Sequence, residues 1–238
     1  MTTELNGTQI TWFGHATFKI TSPQGKVILI DPWLTDNPSC PPELKRVDKV
    51  DLLLVTHGHF DHTGDLLAVA KQHQPTTVAV MELAGWLGSK GVKTAIDLNI
   101  GGSETFEGIT VSATQALHTS SLPGENVYVG VPIGFVIRLE NGLTIYHAGD
   151  TTVFSDMQLI RELYAPDIAV LPIGDHYTMG PKAAALAVRL LGVKQVIPMH
   201  YGTFPLLTGT PAALREELGR IGLSDVEVVA MTPGQTIK

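Results

Sequence analysis

Four side chains of the kinds that bind metal ions lie within six residues, namely His57, His59, Asp61 and His62. Imidazole and carboxylate groups at such short spacing suit Zn²⁺ and similar divalent ions. His57 and His59 alternate and could point the same way to hold one ion. Asp61 and His62 follow a bend in the backbone and suit a second ion beside the first. A solvated polar loop is the alternative, but the density of histidines favours metal binding.

The metal-binding stretch lies between two predicted elements. The apolar run at residues 52–55 predicts a buried strand before it, and the apolar spacing at residues 66–70 predicts a helix after it. Open α/β sheets place their sites at the carboxyl ends of strands. Further polar residues follow other predicted strands in the same way: Asp31, His118, Asp150, His176 and His200. We therefore expect these side chains to converge on one site.

The predicted elements alternate along the chain. Strands are predicted at residues 9–13, 18–21, 27–30, 52–55, 77–80, 94–98, 109–116, 133–139, 143–146, 168–171, 195–198 and 226–230. Helices are predicted at residues 82–88, 157–164, 182–191 and 211–221. Asn141-Gly142 predicts a hairpin, residues 35–42 predict a Pro-rich loop, and a segment with Pro123, Gly124 and Gly130 predicts a lid or substrate loop. Two sheets back to back with helices outside would explain this pattern.

The stretch from His57 to His62 resembles the HxHxDH motif of the metallo-β-lactamase superfamily. Gly-His-Ala-Thr-Phe at residues 14–18 and Pro-Ile-Gly-Asp-His-Tyr-Thr-Met-Gly-Pro at residues 172–181 resemble one branch of it, the metal-dependent hydrolases related to ascorbate-6-phosphate lactonase. The resemblance covers nearly the whole chain. It implies an α/β fold of the four-layer αββα type, the metallo-β-lactamase fold, with residues 1–238 as one domain.

The resemblance also implies two divalent ions and their ligands. It assigns His57, His59 and His118 to the first ion, Asp61, His62 and His200 to the second, and Asp150 to both. A carboxylate can bridge in this way because it has two oxygens. Zinc is the expected metal, and manganese, iron or nickel would also suit these ligands. Taken alone, His118 and His200 could be ordinary hydrogen-bonded histidines and Asp150 a helix cap, but their places at strand ends favour ligation.

Two such ions predict hydrolysis without a protein nucleophile. A metal ion lowers the pKa of bound water from about 15.7 to near 7, which provides a hydroxide at neutral pH. The candidate nucleophiles Ser120, Ser121 and Cys40 lack the sequence context of catalytic residues. Asp61 and Asp150 are the candidate catalytic carboxylates.

Three further residues are predicted to support the ions or meet the substrate. Asp31 is expected to hydrogen-bond a ligand histidine and fix its orientation, with a turn residue as the alternative. The family pattern places His15 and His176 near the pocket, and hydrogen-bonded loop histidines are the alternative. We expect His176 to face the substrate, where it could donate a proton, and not to bind metal.

Composition narrows the function. The chain has 238 residues, 44% of them apolar, and a formal charge of −7 without a Lys/Arg cluster, which disfavours a nucleic-acid substrate. The single cysteine and the lack of a signal-like start or long apolar run favour a cytoplasmic location away from membranes. A homo-oligomer remains open.

The main hypothesis is a binuclear hydrolase of a small-molecule ester, lactone or phosphodiester. The alternatives are a nuclease of the same superfamily, a non-hydrolytic di-metal redox or sensor protein, and a metal-binding protein without turnover. Fold and metal chemistry do not decide the substrate, because this superfamily supports many reactions.

Overall fold

The computed structural model describes residues 4–122, 124 and 127–238. Its strands are β1 (Gln9–Trp12), β2 (Phe18–Thr21), β3 (Val27–Ile30), β4 (Leu52–Leu54), β5 (Thr76–Ala79), β6 (Ala95–Asp97), β7 (Ser103–Phe106), β8 (Ile109–Gln115), β9 (Ile133–Arg138), β10 (Thr144–His147), β11 (Ile168–Pro172), β12 (Gln195–Met199), β13 (Glu227–Val228) and β14 (Thr236–Ile237). Its α-helices are α1 (Phe60–Thr63), α2 (Leu66–His73), α3 (Met81–Ser89), α4 (Met157–Tyr164), α5 (Pro181–Leu191) and α6 (Pro211–Arg220).

The strands form two seven-stranded sheets. The first has the order β14-β1-β2-β3-β4-β5-β6 and the second β13-β12-β11-β10-β9-β8-β7. Strands β3 to β6 pair in parallel, as do β10 to β13. Because parallel strands end at the same edge, the loops after β3, β4, β10, β11 and β12 can contribute to one site.

Side-chain alternation along the strands separates two layers of core. In β11, Ile168 and Val170 belong to the cluster that both sheets share, whereas Ala169 and Leu171 pack with the apolar faces of α4, α5 and α6. This alternation follows from the two-residue period of a strand. Helices α2 and α3 cover the other side of the first sheet through side chains such as Leu83. The predicted αββα arrangement is confirmed.

Most predicted elements are present, and the sequence missed the edge strands β7 and β14 and the short helix α1, which contains Asp61 and His62. Strand β7, Ser-Glu-Thr-Phe, is mostly exposed and therefore lacks the apolar alternation that identifies a half-buried strand. Strand β14 has only two residues, which pair with Ile10 and Thr11 of β1. The hairpin at Asn141-Gly142 is confirmed by the pairing of β9 with β10.

Two predicted loops have further features. The Pro-rich loop ends in a 3-10 turn at Pro42–Leu44. The predicted lid segment contains one bridge between Ser121 and Tyr128, while Pro123 lies outside the described residues. In the described part of the chain, none of the helices has the length and apolar character needed to cross a bilayer.

Candidate metal centre

The local backbone explains why the metal-binding stretch divides into two pairs of ligands. His57 and His59 lie on the extended segment after β4, and His59 has φ −65° and ψ 154° just before α1 begins. Asp61 and His62 then lie in the first turn of α1. A change from extended to helical backbone separates the two pairs along the chain, although the rings of His57 and His62 still lie 4.1 Å apart.

The first trio consists of His57, His59 and His118. The Nδ1 atom of His59 lies 3.0 Å from Nε2 of His57 and 3.2 Å from Nε2 of His118. Three nitrogens bound to one tetrahedral ion at about 2.0–2.1 Å would lie about 3.3 Å apart. The three imidazoles therefore already have the spacing that a single ion requires.

The second trio consists of Asp61, His62 and His200. The Oδ2 atom of Asp61 lies 3.6 Å from Nε2 of His200 and 3.9 Å from Nε2 of His62. His62 and His200 are buried, whereas Asp61 reaches the cavity described below. These residues form a second group that could hold an ion, with His15 close by.

Asp150 lies between the two trios. Its Oδ2 atom is 3.5 Å from Nε2 of His118 and 3.9 Å from Nε2 of His57. The same oxygen is 3.0 Å from Nε2 of His200 and 3.3 Å from Nε2 of His62. One carboxylate at the end of β10 thus contacts both groups, which is the position that a bridging ligand needs.

Several buried polar atoms of this cluster have no hydrogen-bond partner among the described residues: Nε2 of His62, both ring nitrogens of His200 and Oδ1 of Asp150. Oδ2 of Asp150 lies close to Nε2 of His62 and of His200, but neither contact has the geometry of a hydrogen bond. A buried polar atom without a partner costs about 1–3 kcal/mol. A divalent ion would satisfy these atoms, so the residues present fit a metal centre.

Electrostatics at the first trio favours neutral imidazoles. Burial, together with the neighbouring His62, lowers the pKa of His57 well below its usual value. Burial likewise lowers the pKa of His59 and of His118. Metal ions bind the neutral imidazole, so these histidines are in the form that ligation requires.

Electrostatics at the second trio favours a cation. Burial opposes a charge on His62, but the carboxylates of Asp150, Asp31 and Asp61 outweigh it and raise the pKa of His62. Burial is likewise outweighed at His200, where Asp150 and Asp61 raise the pKa to about 9. The negative electrostatic potential that keeps a proton on these two histidines also attracts a metal cation. The carboxylates therefore supply the negative charge that a divalent ion would neutralise.

Asp31 contacts His62, one of the candidate ligands. Its Oδ2 atom accepts from Nδ1 of His62 at 2.8 Å and from Oγ1 of Thr56 at 2.6 Å, while Oδ1 accepts from the Thr56 backbone N–H at 2.8 Å. With its Nδ1 proton donated to Asp31, His62 presents the lone pair of Nε2 to the centre.

His15 contacts Asp61 beside the second trio. Its Nε2 atom lies 2.9 Å from Oδ2 of Asp61, and its Nδ1 atom lies 2.9 Å from Oγ1 of Thr203. Burial and the nearby His200 lower the pKa of His15 to about 4. Because both ring nitrogens are engaged, this buried histidine positions the Asp61 carboxylate.

The backbone is in the left-handed region at three residues of the centre. His15 has φ 55°, Asp31 has φ 48° and His200 has φ 55°. Side chains other than glycine, asparagine and aspartate rarely adopt this region, and it costs about 1–3 kcal/mol. The backbone N–H of His200 donates to the carbonyl oxygen of His15 at 3.0 Å, which ties two of these turns together.

A cavity of about 610 Å³ opens beside the two trios. Its lining combines candidate ligands with apolar groups: His59, Phe60, Asp61, His118, Thr119, Asp150, Tyr177, His200, Phe204, Pro205 and Leu206. A volume of this size suits a small molecule. The sequence analysis did not predict the apolar lining residues. Phe60 could have been predicted, because it lies between His59 and Asp61 in the metal-binding stretch.

The structure does not place His176 in the lining of this cavity. His176 is exposed on the loop after β11, its ring lies 4.5 Å from that of Tyr177, and its backbone N–H donates to Oδ1 of Asp175 at 2.8 Å. Tyr177, the next residue, lines the cavity instead.

The hydroxyl and thiol groups near the centre have other environments. The Ser120 side chain accepts a hydrogen bond from the Gly58 backbone N–H at 3.1 Å. Cys40 is buried, and burial raises the pKa of its thiol to about 11. The Cys40 thiol is therefore protonated at neutral pH.

Comparison with known proteins agrees with the fold and with a metal-dependent activity. Residues 26–201 match the model of the beta-lactamase superfamily domain. The chain is 50% identical to a UPF0173 metal-dependent hydrolase of Rubrobacter xylanophilus, over 98% of this chain and 97% of the relative. It is 48% identical to another from Koribacter versatilis, over 98% of this chain and 99% of that relative. The solved structure of Igni18, a metallo hydrolase from Ignicoccus hospitalis, is 38% identical, covers 97% of both chains and gives a TM-score of 0.85. The chain therefore belongs to the UPF0173 family of metal-dependent hydrolases, within the beta-lactamase superfamily.

Proposed function

We propose that this hydrolase is binuclear and acts on a small molecule with an ester, lactone or phosphodiester bond. The observation that carries the proposal is the position of Asp150 Oδ2, within 3.9 Å of imidazole nitrogens from both trios. When bound, divalent ions acidify water and polarise the oxygen of the bond under attack. Zinc is the first metal to test, followed by manganese, iron and nickel.

The residues of the chain divide the work by position. His57, His59 and His118 would hold the first ion, and His62 and His200 would help to hold the second. Asp150 fixes the distance between the two groups. Asp61 belongs to the second group and also lines the cavity, so its carboxylate faces the reacting bond. The buried partners Asp31 and His15 keep these side chains in orientation.

Metal stoichiometry tests the binuclear assignment. After reconstitution with zinc or manganese, elemental analysis should approach two ions per chain. Asp150→Ala should abolish turnover more completely than Asp61→Ala, because it removes a contact to both trios while Asp61 belongs to one. Circular dichroism controls for folding. One ion per chain in the wild type, or greater damage from Asp61→Ala, would overturn the assignment of Asp150 as the bridge.

The role of His176 stays a prediction. If its loop moves so that the imidazole reaches the substrate, His176→Ala should lower kcat about a hundredfold while metal content and melting temperature hold. Tyr177→Phe is the matched comparison, because Tyr177 already lines the cavity. Loss of a metal equivalent in His176→Ala would refute the assignment. An unchanged kcat would show that His176 does not contact the substrate and would favour Tyr177 for that role.

The proposed relation to ascorbate-6-phosphate lactonase keeps a lactone among the substrates to screen. A panel of lactones, thioesters and phosphodiesters tested with metal-reconstituted protein separates the bond types. A nuclease is disfavoured by the formal charge of −7, because nucleic-acid binding needs a basic surface. No observation favours a redox centre over a hydrolytic one.

A further inference from the structure

The cavity beside the metal centre has an apolar mouth. Phe60 is 51% exposed, Leu206 is 50% exposed and Tyr177 is 52% exposed, and all three line the cavity together with Phe204 and Pro205. Exposed apolar side chains that converge on a concave site mark a place where an apolar group of a ligand is taken from water.

An aromatic cluster holds one wall of this mouth in place. The buried ring of Trp33 lies 5.6 Å from that of Phe60 and 5.9 Å from that of Phe204, and Phe60 and Phe204 are 6.4 Å apart. Trp33 also packs on Gly64, where an added Cβ would lie only 2.6 Å from the indole. The wall is therefore supported from behind, so it can present a preformed surface to a ligand.

Apart from the histidines of the metal centre, the described lining of the same cavity has no basic side chain. No Lys or Arg lines it among the described residues. The sequence explains why, since the segments that contribute to the lining lie in stretches without basic residues, including residues 94–137, 162–181 and 195–214. Phosphate groups on ligands are usually held by Arg or Lys. A phosphate on the part of the substrate that rests in the mouth would meet apolar rings and the Asp61 carboxylate.

We propose that the substrate is uncharged and carries an aryl or alkyl group that rests on the wall formed by Phe60, Phe204 and Leu206. This inference deepens the proposed function and rests on it. It selects esters, thioesters or lactones with an apolar group over substrates, such as phosphorylated sugars, whose phosphate would rest on this wall. Phe60 and Leu206 are the specificity-determining residues, because their exposed halves are available for contact with the ligand.

Binding of unreactive ligands tests the inference without turnover. Calorimetry on the metal-loaded protein would compare acetophenone with butyrophenone, two neutral ketones that differ by two methylenes. Burial of each methylene is worth about fourfold in affinity, so butyrophenone should bind about fifteenfold more tightly. Phe60→Ala and Leu206→Ala should reduce this ratio to about threefold or less. Leu163→Ala, which truncates a 72% exposed leucine on α4, should leave it unchanged.

The outcomes separate the inference from the proposed function. Equal binding of the two ketones, or an unchanged ratio in both Phe60→Ala and Leu206→Ala with two ions retained, would overturn the apolar subsite. If the ratio behaves as expected but neutral p-nitrophenyl esters are not hydrolysed, the subsite stands and the ester hydrolase proposal fails. Metal content measured on every variant excludes indirect effects on the ions.

A charge introduced at the mouth gives an independent test. Phenyl acetate and its 4-phosphate derivative would be compared as substrates for wild type, Leu206→Arg and Leu163→Arg. The wild type should prefer phenyl acetate by at least about tenfold in kcat/KM, since a phosphate has no counter-charge at the wall. Leu206→Arg should reduce or reverse this preference, whereas Leu163→Arg should not. A wild-type preference for the phosphorylated ester would refute the inference.

Discussion

Replacing Asp31 by Asn should weaken the second metal site through one hydrogen bond. Asp31 is fully buried and accepts three hydrogen bonds, two from Thr56 and one from Nδ1 of His62. Asn has nearly the same shape and tolerates the φ of 48° that Asp31 adopts, so the backbone adds little strain. The change therefore tests the carboxylate itself.

An amide cannot accept all three bonds. If its NH₂ group takes the place of Oδ2, it faces the donor on His62, which must move its proton to Nε2 and lose the lone pair that binds metal. If the NH₂ group instead takes the place of Oδ1, it faces the Thr56 backbone N–H at 2.8 Å and leaves that donor unsatisfied. The first arrangement should lower affinity for the second ion about 10- to 100-fold, and the second should lower stability by about 1–3 kcal/mol.

Chelator competition would measure affinity for each ion, and thermal unfolding of the metal-free protein would measure stability. Asp51→Asn is the matched control, because Asp51 accepts from the Val27 backbone N–H at 2.7 Å and is paired with Lys49, but has no part in the centre. It should change stability alone. If Asp31→Asn leaves both affinity and stability unchanged, the proposed role of Asp31 in orienting His62 is wrong.

Two further perturbations test the packing and the protonation of the centre. Gly174→Ala would place a Cβ 2.0 Å from the carbonyl oxygen of His200, so the backbone must shift by about an ångström. Because metal–ligand distances tolerate only about 0.2 Å, we expect this variant to lose one metal equivalent. In the control Gly88→Ala, the added Cβ has no atom within 4 Å, and both metal equivalents should be kept. Burial lowers the pKa of both His15 and His147 to about 4, so the folded metal-free protein binds fewer protons than the unfolded chain between pH 4 and 6.5. The free energy of unfolding should therefore fall as pH decreases through that window, by up to about 3 kcal/mol per histidine. Urea unfolding at pH 7 and at pH 5 would measure this change. Equal stability at the two pH values would contradict the prediction.

The local pattern of the sequence determined most of the strands, the hairpin and the cluster of candidate ligands from His57 to His62. These features depend on the two-residue period of a strand, the turn preference of Asn-Gly, and the close spacing of the four metal-binding residues. Each involves residues close together in the chain, so the information is contained in a short window. The edge strands β7 and β14 had no such pattern, because their pairing partners and not their own residues define them.

Only the tertiary structure decided which distant residues share the centre and what shape surrounds it. His200 and His147 both follow or end an apolar strand, yet packing places only His200 beside Asp150. His15 reaches Asp61 across 46 residues, and Trp33 supports Phe60 and Phe204 from separate loops. Such contacts arise from the close packing of the two sheets and from left-handed turns that the surrounding structure stabilises. Neither cause leaves a periodic signal along the chain.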